Sequence, residues 1–193
     1  MKRLFIAINL AEGIKKEIRR IIEELDSKMH FSKQPTFRWL PEENWHLTLT
    51  FLGGQPDKSI GSILESIKSA VLCIEPPLIE FGDVLFAPQK IFGGPDRPPR
   101  MIWLTTTKQT SEILGKIKNK LEDLLDKNGV KFRKENRKFQ GHLTLARFEP
   151  LPQKETKLLR VGDLIFTPQS LYLMESKLFR IGAEYIILEK VDF

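Results

Sequence analysis

The sequence predicts an α+β chain of two pseudo-twofold related lobes. Each lobe is expected to be an antiparallel sheet with helices on its outer face, with an active-site cleft between the two. Three observations predict this. Three segments carry the apolar period of amphipathic helices. Short strand-like runs lie between and after them. One tetrapeptide, His-Leu-Thr-Leu, occurs twice, at residues 46–49 and again 96 positions later at residues 142–145.

Leu4–Leu10 reads as a buried strand. Lys2 and Arg3 precede it as they would a secretory signal, but Asn9 and Glu12 break the apolar run and no cleavage site follows. From Ala11 to Met29 the apolar set is Ile14, Ile18, Ile21, Ile22, Leu25 and Met29, with charges on the other face. Phe37–Leu40 and His46–Phe51 are extended runs. A second helix spans Asp57–Val71 on Ile60, Ile63, Leu64, Ile67 and Val71. Gly93-Gly94-Pro95 through Pro98-Pro99 forms a connector, and Met101–Thr106 is the next strand. Thr110–Lys127 is the third helix, stopped by Asn128-Gly129. His142–Arg147, Ser170–Met174 and Tyr185–Glu189 are the remaining strands.

The shift of 96 also lays Phe5–Ile8 on Met101–Leu104 and the first helix on the third. The order strand, helix, strand, His-motif strand therefore appears twice. This predicts that residues 1–193 form a single bilobal domain produced by internal duplication. A second likeness, Gly82–Gln89 with Gly162–Gln169 at an offset of 80, suggests equivalent segments, with the second half about one helix shorter.

Composition sets the class. With 41% hydrophobic and 29% charged residues, the chain can build a packed core. Lys and Arg number 31 against 25 acidic residues, a net charge of +6 that suits an anionic partner. A single cysteine, Cys73, excludes an intramolecular disulfide framework and a cysteine-rich zinc site. No apolar stretch approaches the roughly 20 residues of a transmembrane helix, so a cytoplasmic protein without membrane contact is expected; a monomer is the separate default, on which the sequence itself is silent.

The chemistry sits in the repeat. Strand side chains alternate, so His46 and Thr48 share one face while Leu47 and Leu49 anchor the other. His142 and Thr144 repeat the arrangement. If the lobes face each other, two imidazoles and two hydroxyls meet at one site. Neighbouring imidazoles can hold opposite protonation states near neutral pH, one taking a proton from water and one giving a proton to a leaving oxygen. Threonine hydroxyls can donate to non-bridging phosphate oxygens. That set opens a phosphodiester without a metal or other cofactor. A two-histidine metal site lacks a third ligand at any recognisable spacing. His30, at a helix end, reads as a surface or cap residue.

These residues resemble the 2H phosphoesterase superfamily, and within it the RNA 2′,3′-cyclic phosphodiesterases, also called 2′-5′ RNA ligases. The resemblance runs through Arg3–Ile8, Phe37-Arg38-Trp39, Glu43–Gly53, Pro99–Leu104, Phe139–Arg147 and Ser176-Lys177-Leu178 to Gly182 and Tyr185. It implies hydrolysis of an RNA-terminal 2′,3′-cyclic phosphate to a 2′-phosphate. It also implies reversible ligation of 2′-5′ ends as a further direction. By the resemblance, His46 is the proton donor, His142 the proton acceptor, and Thr48 and Thr144 hold the phosphate. The near-identity of the motifs leaves that polarity open. Arg147 and Phe51 match family positions for substrate binding. Strict alternation puts both on the face away from the histidines, so their roles require a strand end, a bulge or a long reach.

Three positions depart from the family pattern. Gly141 stands where proline is common, Trp45 where leucine is common, and Thr50 where arginine or lysine is common. The loss of a cation at Thr50 bears on affinity for phosphate. Lys131–Lys138 carries five basic residues in eight and leads into the second motif. It reads either as an electrostatic lip for an RNA end or as a solvated loop. The expected partner is an RNA end or a cyclic nucleotide. A non-catalytic RNA- or nucleotide-binding module on the same fold is the alternative.

Overall fold

The structure, a computed structural model, describes residues 1–30, 36–88, 98–135, 137–150, 157–179 and 182–193. Most of the Gly93–Pro99 connector, together with Gln89 and Asn136, lies outside the described residues.

Among the described residues, ten strands and three α-helices follow one another as β1 (Lys2–Asn9), α1 (Glu12–Met29), β2 (Arg38–Trp39), β3 (His46–Gln55), α2 (Ile60–Val71), β4 (Ile79–Ala87), β5 (Met101–Thr106), α3 (Lys108–Lys127), β6 (His142–Arg147), β7 (Lys157–Arg160), β8 (Ile165–Phe166), β9 (Ser170–Phe179) and β10 (Gly182–Asp192). The expected helices form with small boundary shifts. Thr107 caps α3 by accepting a hydrogen bond from the Thr110 amide, so the helix starts at Lys108. A 3-10 turn at Asp57–Ser59 precedes α2. His30 closes α1 in the left-handed region at φ 53°, as expected of a cap residue.

The strands form two antiparallel sheets. One has the order β10-β9-β1-β3 and the other β2-β6-β5-β4-β7, with β8 alongside β4. Strands β4, β7 and β8 were not expected. In β4 the pair Gly82-Asp83 interrupts an otherwise apolar run, and the register slips between Phe81 and Val84, so no clean alternation marks the strand. The likeness of Gly82–Gln89 to Gly162–Gln169 does not mark equivalent strands. The second segment contributes β8, which pairs with the start of β4. The strand placed like β4 is β9: Leu85 lies beside Trp103 of β5, as Tyr172 lies beside Ala7 of β1.

Each sheet has two different faces. Away from the cleft, Leu4, Ile6, Ile8, Leu47 and Leu49 of one sheet join Ile102, Leu104, Leu143 and Leu145 of the other in one continuous core with the helices. On the opposite faces lie two small separate clusters. Phe5, Ala7 and Met174 form one, flanked by Tyr172 and Tyr185. Leu85, Ala87 and Trp103 form the other, flanked by Met101.

Helix α3 follows β5 of the second sheet but reaches the first. The Thr50 hydroxyl of β3 donates to Glu122 Oε1 at 2.7 Å, and Lys118 Nζ meets the same oxygen at 2.7 Å. All three residues are buried, with Glu122 only 4% exposed. Removing one partner of a buried ion pair leaves an uncompensated charge. Lys118→Met or Glu122→Leu alone is therefore expected to cost about 3 kcal/mol, and the double variant less than the worse single. Urea unfolding of the three variants checks this; strictly additive losses would contradict it.

Candidate active site

Both histidines are the first residues of their strands, and each is held by the turn before it. Ahead of His46, β2 pairs with β6, matching Arg38 to Arg147 and Trp39 to Ala146. The Leu40 amide then donates to the Leu145 carbonyl at 2.8 Å. A 3-10 turn at Glu42–Asn44 follows. Asn44 Nδ2 donates to the Ala183 carbonyl of β10 at 3.1 Å, and the buried Trp45 donates from Nε1 to the Leu40 carbonyl at 3.1 Å. The strand of the second motif thus anchors the segment that delivers the first. Strands β3 and β6 also meet directly.

Ahead of His142, Gly141 donates its amide to Ser111 Oγ at 3.2 Å, and its carbonyl accepts from the Thr106 amide at 2.9 Å. Thr106 Oγ1 and Ser111 Oγ are hydrogen-bonded at 2.7 Å. A Cβ on residue 141 would press into the Thr106 hydroxyl and lie 3.3 Å from Leu114 Cδ1. A proline there would also lose the donated amide. Glycine at this place is thus explained by the threonine beside it.

The faces do not simply alternate. Against β1 the register passes from Ile6–Thr50 to Ala7–Thr48, which leaves Leu49 as an extra residue. Against β5 it passes from Ile102–Ala146 to Trp103–Thr144, which leaves Leu145 extra. Each motif therefore carries a β-bulge at its last residue, and the phase shifts by one. Burial follows the shift. His46, Thr48 and Phe51 lie on one face, while Leu47, Leu49, Thr50 and Leu52 are buried. His142, Thr144 and Arg147 behave alike, with Leu143, Leu145 and Ala146 buried. The bulges turn Phe51, 56% exposed, and Arg147 toward the histidine side. Thr50, buried at the cavity border, gives its hydroxyl to Glu122.

Thr48, Phe51 and His142 line a cavity of about 860 Å3 together with Trp103, Lys118, Arg133–Glu135 and Arg137–Gln140. His46, Thr144 and Arg147 are not part of its wall. His46 adjoins it through Phe5, whose ring centre lies 4.9 Å from His46 and 5.9 Å from Phe51. Tyr185 meets the His46 ring edge-on at 4.7 Å. His142 lies flat on Trp103, with ring centres 3.8 Å apart and 22° between planes. These aromatic supports were missed as site residues; the aromatic residues at 103 and 185 were visible in the sequence, but only the sheet register brings them onto the imidazoles.

Burial sets the charge state. It lowers the His46 pKa to about 4, against a partial rise from the Asn44 carbonyl, and a positive charge on His142 lowers it further. Among the described residues His46 Nδ1 has no well-directed hydrogen bond. Burial also lowers the His142 pKa, opposed by the Gln140 carbonyl and aided by Arg137. The two imidazoles are therefore both neutral in the empty site at neutral pH, rather than oppositely charged. A carbonyl only accepts, so the 2.9 Å contact between His142 Nδ1 and the Gln140 oxygen puts the proton on Nδ1 and leaves Nε2 as a free base.

Comparison with known proteins fits this arrangement. A family model described as LigT like Phosphoesterase matches residues 8–103. An RNA 2′,3′-cyclic phosphodiesterase of Thermotoga maritima is 32% identical, aligned over 99% of this chain and 95% of that protein. The chain belongs to the LigT-like phosphoesterase family. Another relative of that name, from Archaeoglobus fulgidus, is 28% identical over 93% of this chain and 89% of its own length. Among solved structures, Escherichia coli LigT complexed with 3′-AMP shares the fold, with a TM-score of 0.70 at 22% identity, covering 99% of this chain and 97% of that one. In this LigT-like chain no group of three or more His, Cys, Asp or Glu is placed to hold a metal, and no helix is long and apolar enough to cross a membrane, both among the described residues.

Gly141→Ala is expected to cost about 1–3 kcal/mol from overpacking. Gly141→Ala with Thr106→Ala should recover part of that loss, because the blocking side chain is gone. A double-mutant cycle by denaturant unfolding measures the coupling; additive losses would show that Thr106 is not what excludes a side chain at residue 141.

Proposed function

We propose that this chain hydrolyses an RNA-terminal 2′,3′-cyclic phosphate to a 2′-phosphate and a free 3′-hydroxyl. The observation that carries the proposal is that Thr48 and His142, one from each motif, line one cavity, and Phe5 joins His46 to Phe51 of the same wall. The names of the curated relatives support the substrate class.

In the proposed reaction His142 Nε2 takes a proton from water, and the water oxygen bonds to phosphorus. The bond from phosphorus to the 3′ oxygen breaks, and His46 gives its proton to that oxygen. Thr48 and Thr144 donate hydrogen bonds to the non-bridging oxygens. The free Nε2 of His142 favours it as the base. His46 must then be charged when substrate is bound, although burial keeps it neutral in the empty site. An anionic phosphate beside it raises its pKa. The proton of the general acid is acquired with the substrate.

The RNA body has a path along Arg133, Lys134, Arg137 and Lys138, which share the cavity wall with His142. Three of these already have carboxylate partners: Lys134 with Asp123 and Asp126, Arg137 with Glu135, and Lys138 with Glu112. Arg133 has no ion pair among the described residues and is the cation most open to a phosphate of the strand. The same proposal covers origin. The two sheets place β3-β1-β9-β10 and β6-β5-β4-β7 in matching order, with matching bulges, which supports one duplicated unit over residues 1–193.

RNA ending in a 2′,3′-cyclic phosphate should be hydrolysed in EDTA, and His142→Ala or His46→Ala should lose at least about a hundredfold in kcat. Equal turnover by wild type and His142→Ala would end the proposal. A binding-only module would instead show binding that survives loss of both histidines and no turnover in any variant. A second measurement concerns charge. Sulfate, which does not titrate in this range, should bind up to about tenfold more weakly per pH unit as pH rises above about 4, because one proton is taken up on binding. The dependence levels off above the raised pKa of the occupied site. Calorimetry across pH reads it, and affinity that does not change with pH would refute coupled proton uptake.

A further inference from the structure

We infer that Trp103 is a positioning residue for His142: its indole fixes the plane of the imidazole and stabilises the imidazolium formed when that ring accepts a proton. The inference rests on the acid–base reading above and adds a residue to it. The stack is close and nearly parallel, with ring centres 3.8 Å apart and 22° between planes. Trp103 is itself fixed, 8% exposed and packed against Leu85, Ala87 and Met101. On β5 it sits directly opposite Thr144, with Thr105 opposite His142, so the indole covers the imidazole diagonally across the strand pair.

An indole face is the strongest of the aromatic acceptors for a cation, and its effect grows where water is excluded. The other lobe makes the contrast. The residue in the place of Trp103, opposite Thr48, is Ala7, which has no ring to stack. There His46 meets Phe5 tilted at 34° and Tyr185 edge-on at 83°. Among the described residues the parallel π face is thus given to His142 alone, whose Nδ1 contact leaves Nε2 to take a proton. The charged groups acting on His142 are Arg137 and Glu135 from the segment before β6, and the titratable group across from it is His46 of β3. Trp103 supplies its support from β5 without adding charge.

The test is a proton NMR titration of His142, its resonance assigned by its loss in His142→Gln, in wild type, Trp103→Phe and Trp103→Leu. Wild type should show the His142 ring proton shifted upfield by the indole ring current. Trp103→Phe should keep a midpoint close to wild type, whereas Trp103→Leu should lose the upfield shift and lower the midpoint by about one pH unit relative to Trp103→Phe. In turnover, Trp103→Leu should lower kcat several-fold with little change in KM, and its acid limb should move with the midpoint. Equal midpoints in the leucine and phenylalanine variants would overturn the inference. Trp103→Met serves as the non-aromatic variant if Trp103→Leu does not fold. The titration needs no substrate, so a failure of the proposed hydrolysis and a failure of this inference are read separately.

Discussion

The site depends on one backbone ladder. Where β2 lies on β6 and the Leu40 amide reaches the Leu145 carbonyl, the chain approaching the first motif is hydrogen-bonded to the strand of the second. Motifs 96 residues apart in sequence thereby become neighbours through main-chain bonds, which no side-chain substitution short of proline removes. The other fastenings act on this frame. Asn44 pins the turn to β10, and the Thr50–Glu122–Lys118 contact ties β3 to α3 on the buried side. A shared ladder holds the two motif strands in a fixed relation that loosely joined lobes would lack.

Given that frame, the paired bulges decide which residues share the histidine side. Without them, the residues five places after each histidine would face the core and those four places after would face the cleft. With them, Phe51 and Arg147 turn out and Thr50 and Ala146 turn in. Thr50 gives its hydroxyl to Glu122, which also holds Lys118, and both Thr50 and Lys118 border the cavity.

Much of this was legible in the sequence. The helices followed from their apolar period, because Ile14, Ile18 and Leu25, or Leu114, Leu121 and Leu125, recur where a helix must bury them. The repeat of His-Leu-Thr-Leu was visible because both histidines and both threonines survive in both copies. What stayed hidden depends on neighbours remote in sequence. Strand β4 is covered on both faces and broken by Gly82-Asp83, so it has no period to read. A bulge is a property of two paired strands, and neither Leu49 nor Leu145 differs from an ordinary core leucine by itself. The neutrality of both histidines comes from burial beneath Phe5, Tyr185 and Trp103, which the register alone brings together.

The division of each sheet into two faces has a consequence for divergence. The apolar residues on the cleft side form two small islands, Phe5-Ala7-Met174 and Leu85-Ala87-Trp103, outside the large core behind the sheets. Fold stability is drawn mostly from the large core. Substitutions in an island alter what lies against an imidazole while leaving the main source of stability untouched.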